Sequence, residues 1–159
     1  MTDLKTLPMT FFLDLDGTIL IHRNHGLRGQ ATNEEIISPR LWEFLEWCNK
    51  NGHKVIGTTG RKKSMEMSTE LQMERLGVYL DLIIYECNPG IRILVNDLKN
   101  NDATPTAHAI NSKRNSGDWL EQLSALGFEA KGKNYPLGDS SCQAILFPAK
   151  GDSTGGESN

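Results

Sequence analysis

The sequence predicts an α/β domain: a central, mostly parallel sheet of about five strands with helices on both faces. Three observations lead there. Short apolar runs alternate with segments of helical periodicity along the chain. Acidic and hydroxyl residues stand directly behind several of those runs, where the carboxyl ends of parallel strands carry chemistry. The length, 159 residues, and the composition, 38% hydrophobic and 23% charged, suit one globular domain with a substantial core.

Residues 9–15, MTFFLDL, form an apolar run closed by Asp16-Gly17 and read as a buried strand. Residues 19–37 open with Ile19-Leu20-Ile21 and continue through glycines, histidines and arginines without a period, as a hairpin or loop does; residues 19–32 are the candidate flap. A helix is expected from Ser38, with Pro39 at its first position, Leu41, Phe44, Leu45 and Cys48 on one face, and Gly52 as its stop. Residues 54–58 form a short strand that ends at Thr59-Gly60. A second helix is expected over residues 64–76, with Glu66 in its first turn, Arg75 in its last and Gly77 behind it. Its apolar face is less regular than that of the first helix. Residues 82–85 and 91–95 read as two more strands, separated by the turn Asn88-Pro89-Gly90. Residues 96–106 are polar, and 107–111 are a weak strand candidate. Asp118 is expected to cap the last helix in a capping box with Glu121, with Trp119, Leu120, Leu123 and Leu126 facing inward and Gly127 ending it. Residues 143–147 are a candidate final strand. The organisation is one domain over residues 1–150 and a polar tail, expected to be disordered, over 151–159.

Lys and Arg number 17 against 20 Asp and Glu, a formal charge of −3. That gives no general electrostatic reason to bind nucleic acid or an anionic membrane. No apolar run approaches the ~20 residues of a membrane helix, and residues 1–8 lack the basic-then-apolar layout of a signal peptide. Cys48, Cys87 and Cys142 are scattered without metal-type spacing, so reduced thiols in a cytoplasmic protein are the simplest reading.

In an extended segment Asp14 and Asp16 point to the same side. Carboxylates that close repel unless a cation or a shared proton relieves them. Mg²⁺ suits a site of few carboxylates completed by water and a phosphate. Gly17 lets the backbone leave the strand sharply and bring N–H groups near an anion. Thr58 or Thr59, with Gly60 behind, offers a hydroxyl and backbone donors to a phosphoryl oxygen. Asp97 is the expected completion of the metal shell, with Asp102 a further candidate. A D-x-D-G sequence alone is common as a turn after a strand; charge this dense directly behind a strongly apolar run argues for function.

FFLDLDGTIL resembles the first signature of the haloacid dehalogenase-like superfamily, a hydrophobic strand followed by D-x-D-G-T. VIGTTGR, residues 55–61, is similar to the second, and ILVNDLKNND, residues 93–102, to the acidic fourth. The resemblance covers roughly residues 9–111 and implies a Rossmann-like fold and Mg²⁺-dependent phosphatase chemistry. Asp14 would then be the nucleophile that forms an aspartyl phosphate, and Asp16 the acid/base. The metal set would be Asp14, Asp16 and Asp97 with the Leu15 carbonyl. Gly17, Thr59, Gly60 and Arg61 would surround the phosphate. The family's third signature, a Lys or Arg ahead of the acidic motif, is not plainly present. Lys63, carried with the phosphate-binding set, Lys62 and Arg92 are its candidates, with Lys99 behind them.

Neither gap between signatures holds a cap domain, so the resemblance implies a capless member with an open site. Such a site accepts bulky phosphates or is covered by a neighbouring subunit, which makes a homo-oligomer one expectation. The segment His22-Arg23-Asn24-His25-Gly26-Leu27-Arg28 falls where the family has a small hairpin flap. Residues 93–115 resemble small phosphatase-like proteins of carbohydrate and surface-polysaccharide pathways, which makes a sugar phosphate the first substrate class. The rivals are a polynucleotide or nucleotide phosphatase, favoured by a basic patch around Arg23, Arg28, Arg61, Lys62 and Lys63, and a non-catalytic regulatory domain phosphorylated on Asp14.

Overall fold

The run TFFLD is rich in Phe and Leu, which fit a pleated, half-buried surface, and Thr10–Asp14 forms strand β1. The computed structural model describes residues 7–23, 32, 34–98 and 105–128. β1 pairs in parallel with β2 (Lys54–Thr58), and β2 with β3 (Leu82–Ile84), in the order β1-β2-β3. The register sets Asp14 opposite Thr58 and Thr58 opposite Ile84, so three strands end on one rim. Gly57 is what lets the middle strand lie close to its cover. A Cβ there would stand 2.8 Å from Leu80 Cδ1 and 3.0 Å from Leu15 Cδ2.

Parallel neighbours need a crossover. Helix α1 (Arg40–Lys50) supplies the first, with Pro39 just before it and Gly52 (φ +70°) behind. Its inward face is Leu41, Phe44 and Cys48, the row that the period predicts, with Leu45 partly buried. Helix α2 (Glu66–Arg75), entered through a single 3₁₀ turn at Lys63–Met65, supplies the second. Helix α3 (Trp119–Ala125) lies against the other elements through Trp119, Leu120 and Leu123. The core joins these faces to Leu13, Leu15, Ile19, Leu20, Val55, Met73 and Val78. Edge-on aromatic contacts link Phe11 to Phe44 (5.0 Å between centroids) and Phe44 to Trp119 (5.2 Å), a geometry the ring quadrupoles favour. His53 accepts the Met9 N–H at Nδ1 (3.2 Å) and lies against Trp47, and burial holds its imidazole below the usual pKa.

The α/β class and the parallel sheet agree with the sequence reading, but the described residues hold three strands where about five were expected. Residues 143–147 lie outside the described residues, and 107–111 form no strand. The run 91–95 is the informative correction. Glu86, at φ +60°, ends the extended run beside the segment that follows β2: its N–H donates to the Arg61 carbonyl and that of Cys87 to the Thr59 carbonyl, both at 2.9 Å. Arg92 then lies on Asp14, so the segment crosses the rim instead of extending the β3 edge. The expected capping box is absent as well. Asp118 is itself helical in backbone (φ −64°), and its carboxylate turns back to Ser112, Ser116 and the Lys113 N–H, while Glu121 pairs with Arg40.

Candidate active site

The chain leaves β1 through a tight turn. Gly17 takes φ +101°, open to glycine alone at low cost, and its N–H donates to the Leu20 carbonyl (2.7 Å). The Leu15 carbonyl accepts the N–H groups of Ile19 (3.0 Å) and Leu20 (2.9 Å), with Thr18 at 3.4 Å. That oxygen, expected from the resemblance to meet the metal, is engaged in the turn. Trp119 Nε1 donates to the Thr18 carbonyl (3.1 Å), so α3 pins the same turn.

Asp14 is half-buried at the strand end. Burial pushes its carboxyl above the usual range and Asp16 adds to the rise, while Arg92 opposes it, with smaller help from Arg114 and His22. Arg92 donates to Asp14 Oδ1 at 2.8 Å, and no described residue donates to Oδ2. Asp16 is held differently. Arg61 grips it bidentately, Nε to Oδ2 at 3.0 Å and Nη2 to Oδ1 at 2.7 Å. The Arg61 side chain is 0% exposed, and its Nη1 donates to Gln72 Oε1 (2.7 Å) and Thr69 Oγ1 (3.1 Å). Four of five guanidinium protons are thereby engaged. Expected beside the phosphate, Arg61 is instead the buried mount of Asp16.

Thr59 stands one residue past β2, with its amide on the Ile84 carbonyl (2.9 Å). Its Oγ1 accepts the Arg61 N–H (3.1 Å), and its own hydroxyl proton meets no acceptor among the described residues. Gly60 is exposed beside it. Lys63 does not reach this rim: its ammonium pairs with Glu66 and lies over the Tyr85 ring. Among the three cations weighed from the sequence, the geometry places Arg92 on the Asp14 carboxylate.

Asp14 and Asp16 share the rim, but Asp97 does not join them in a three-carboxylate cluster; among the described residues no group of three metal-ligating side chains exists. The Asp97 carbonyl accepts from Thr106 Oγ1 (2.5 Å), on the exposed stretch beyond Arg92. With Asp16 engaged by Arg61, the free oxygen of Asp14 is the donor the rim offers a cation. One carboxylate is within the number Mg²⁺ uses, with water and phosphate completing its shell. Asp102 and Lys99 lie outside the described residues.

The chain matches no family model, no curated protein and no solved structure.

The sequence reading missed two groups at this site. Thr69 and Gln72, both buried on α2, support Arg61; the irregular apolar face of that helix was their signal. The turn 113–117 closes over the β1 exit: Asn115, at φ +61°, donates its N–H to the Gly17 carbonyl (2.9 Å) and clamps both backbone groups of His22 (2.7 and 3.0 Å). No local signal in S-K-R-N-S-G reveals which distant loop it meets.

Proposed function

We propose that this protein is a Mg²⁺-dependent phosphomonoester hydrolase working through an aspartyl phosphate on Asp14, a member of the haloacid dehalogenase-like superfamily acting on a sugar phosphate or related small metabolite. The observation that carries the reading is the rim itself. An unshared Asp14 oxygen, an arginine-mounted Asp16, the Thr59 hydroxyl and the Arg92 guanidinium come from different segments to one edge of a parallel sheet.

In this reading Asp14 attacks phosphorus. Its oxygen–phosphorus bond forms as the bond to the leaving oxygen breaks, and Asp16 supplies the proton that oxygen needs. Water then attacks the acyl phosphate, and Asp16 takes its proton, which restores the Asp14 carboxylate and releases phosphate. Asp16 enters the first step protonated and leaves it as the carboxylate that Arg61 holds in a planar fork, which fixes angle as well as distance. Thr59 and Arg92 hold phosphoryl oxygens. The free oxygen of Asp14 would hold the Mg²⁺ ion, which would supply charge neutralisation on the transferring group.

The test is Mg²⁺-dependent phosphate release from an aryl phosphate, sugar phosphates, nucleotides and end-phosphorylated DNA, with wild type and Asp14→Asn. Turnover by wild type alone supports the reading, and the best substrate separates metabolite from polynucleotide. Equal rates in the two proteins would sink it. Mg²⁺ should also raise the melting temperature of wild type and not of Asp14→Asn, a readout independent of activity.

A further inference from the structure

Among the six described arginines, five hold a carboxylate: Arg23 on Glu35, Arg40 on Glu121, Arg61 on Asp16, Arg75 on Glu34 and Arg92 on Asp14. Arg114 holds none, and among the described residues its guanidinium has no hydrogen-bond partner. It is not a casual surface residue. Its stem lies over the turn behind the nucleophile: Cγ and Cδ are 3.0 and 3.8 Å from where a Cβ would stand on Gly17. The backbone beneath it is fixed on both sides. Asn115 is bonded to Gly17 and His22, and Asp118 gathers the Lys113 N–H (3.2 Å) and the Ser116 hydroxyl (2.6 Å). A left-handed non-glycine residue beside a functional rim costs energy and persists only where its surroundings determine it. Here that backbone holds the Arg114 stem over the Gly17 turn.

Charge at the rim points the same way. Asp14 is matched by Arg92 and Asp16 by Arg61, which leaves Arg114 as surplus within electrostatic reach of Asp14. Beside it, His22 Nδ1 is buried with no hydrogen-bond partner among the described residues, which is uncommon for a buried polar atom.

We infer that Arg114, with His22 beside it, forms a subsite for a second anionic group of the substrate, so that the preferred ester carries a further phosphate or carboxylate besides the phosphate removed. The inference rests on the hydrolase reading and sharpens its substrate class. A planar guanidinium suits either anion, forming paired charge-assisted bonds.

The experiment compares kcat/KM for a sugar monophosphate, the matching bisphosphate and the matching sugar-acid phosphate, in wild type, Arg114→Ala and Arg114→Met. The methionine retains the stem over Gly17. Expected is a wild-type preference for the doubly anionic esters of about tenfold or more, reduced about tenfold in both variants and mainly through KM. Whether the bisphosphate or the sugar acid shows the larger effect identifies the second anion. Hydrolysis without such a preference, or an equal loss on all three esters, overturns the inference and leaves the hydrolase reading intact. Calorimetric binding of inorganic pyrophosphate against phosphate covers the remaining case. Arg114-dependent preference for pyrophosphate in a protein that hydrolyses nothing would keep the subsite and sink the hydrolase; no preference there would sink both.

Discussion

Arg61 carries a full charge inside the protein and answers it with four hydrogen bonds, two of them to Asp16. Breaking a buried pair leaves the surviving charge uncompensated, so Arg61→Ala should lower stability by about 3–5 kcal/mol. Arg61→Lys should recover part of that loss without restoring the fork, since an ammonium cannot bond both carboxylate oxygens in one plane. Chemical denaturation of the three proteins checks this; equal stability of wild type and alanine variant would mean the guanidinium is solvated. Asp14 behaves in the opposite sense. Burial and Asp16 raise its folded pKa above the unfolded value near 3.8, so its ionised form works against folding. That cost is fully present above the folded pKa and vanishes below the unfolded one. In chelator at neutral pH, Asp14→Asn should therefore melt higher than wild type. The gap should close as pH falls through the raised value, and a gap that widens toward acid would contradict the assignment.

At the scale of elements, the helices were legible because their signals are local. The inward row Leu41, Phe44 and Cys48, the glycine stops at Gly52, Gly77 and Gly127, and the strand ending at Thr58 fall where period and punctuation put them, and β1 ends at Asp14, one residue inside the run 9–15. Residues 91–95 were misread for a physical reason. An apolar run states a preference for burial, but a strand also needs a free edge, and Arg92 ties this segment across the rim instead. Ile91, Ile93 and Val95 stand 94%, 82% and 88% exposed. Ile93→Lys and Val95→Lys should thus change stability by no more than about 0.5 kcal/mol and should raise solubility. A loss of several kcal/mol in thermal or chemical melts would place these side chains inside a sheet.

Across the whole molecule, the candidate site is an assembly of distant pieces, which is why only half of it could be read in advance. Asp14, Asp16 and Thr59 announce themselves by standing behind apolar strands. The mount beneath Asp16, the choice of Arg92 over Lys63, and the turn carrying Arg114 depend on which segments meet, and that is settled by long-range contacts. Trp119 on Thr18, Asn115 on Gly17 and Arg40 with Glu121 bind α3 and its preceding turn to the front of the chain. Among the described residues no helix is long and apolar enough to cross a membrane.

In the hydrolase reading Asp14 becomes phosphorylated during turnover. The most direct measurement is acid quench of the protein with Mg²⁺ and an aryl phosphate, borohydride reduction of any acyl phosphate, and peptide mapping by mass spectrometry. Expected is a reduced residue at position 14, more abundant in Asp16→Asn, where hydrolysis of the intermediate slows, and absent from Asp14→Asn. Phosphate release with no adduct, or an adduct on another side chain, would contradict it.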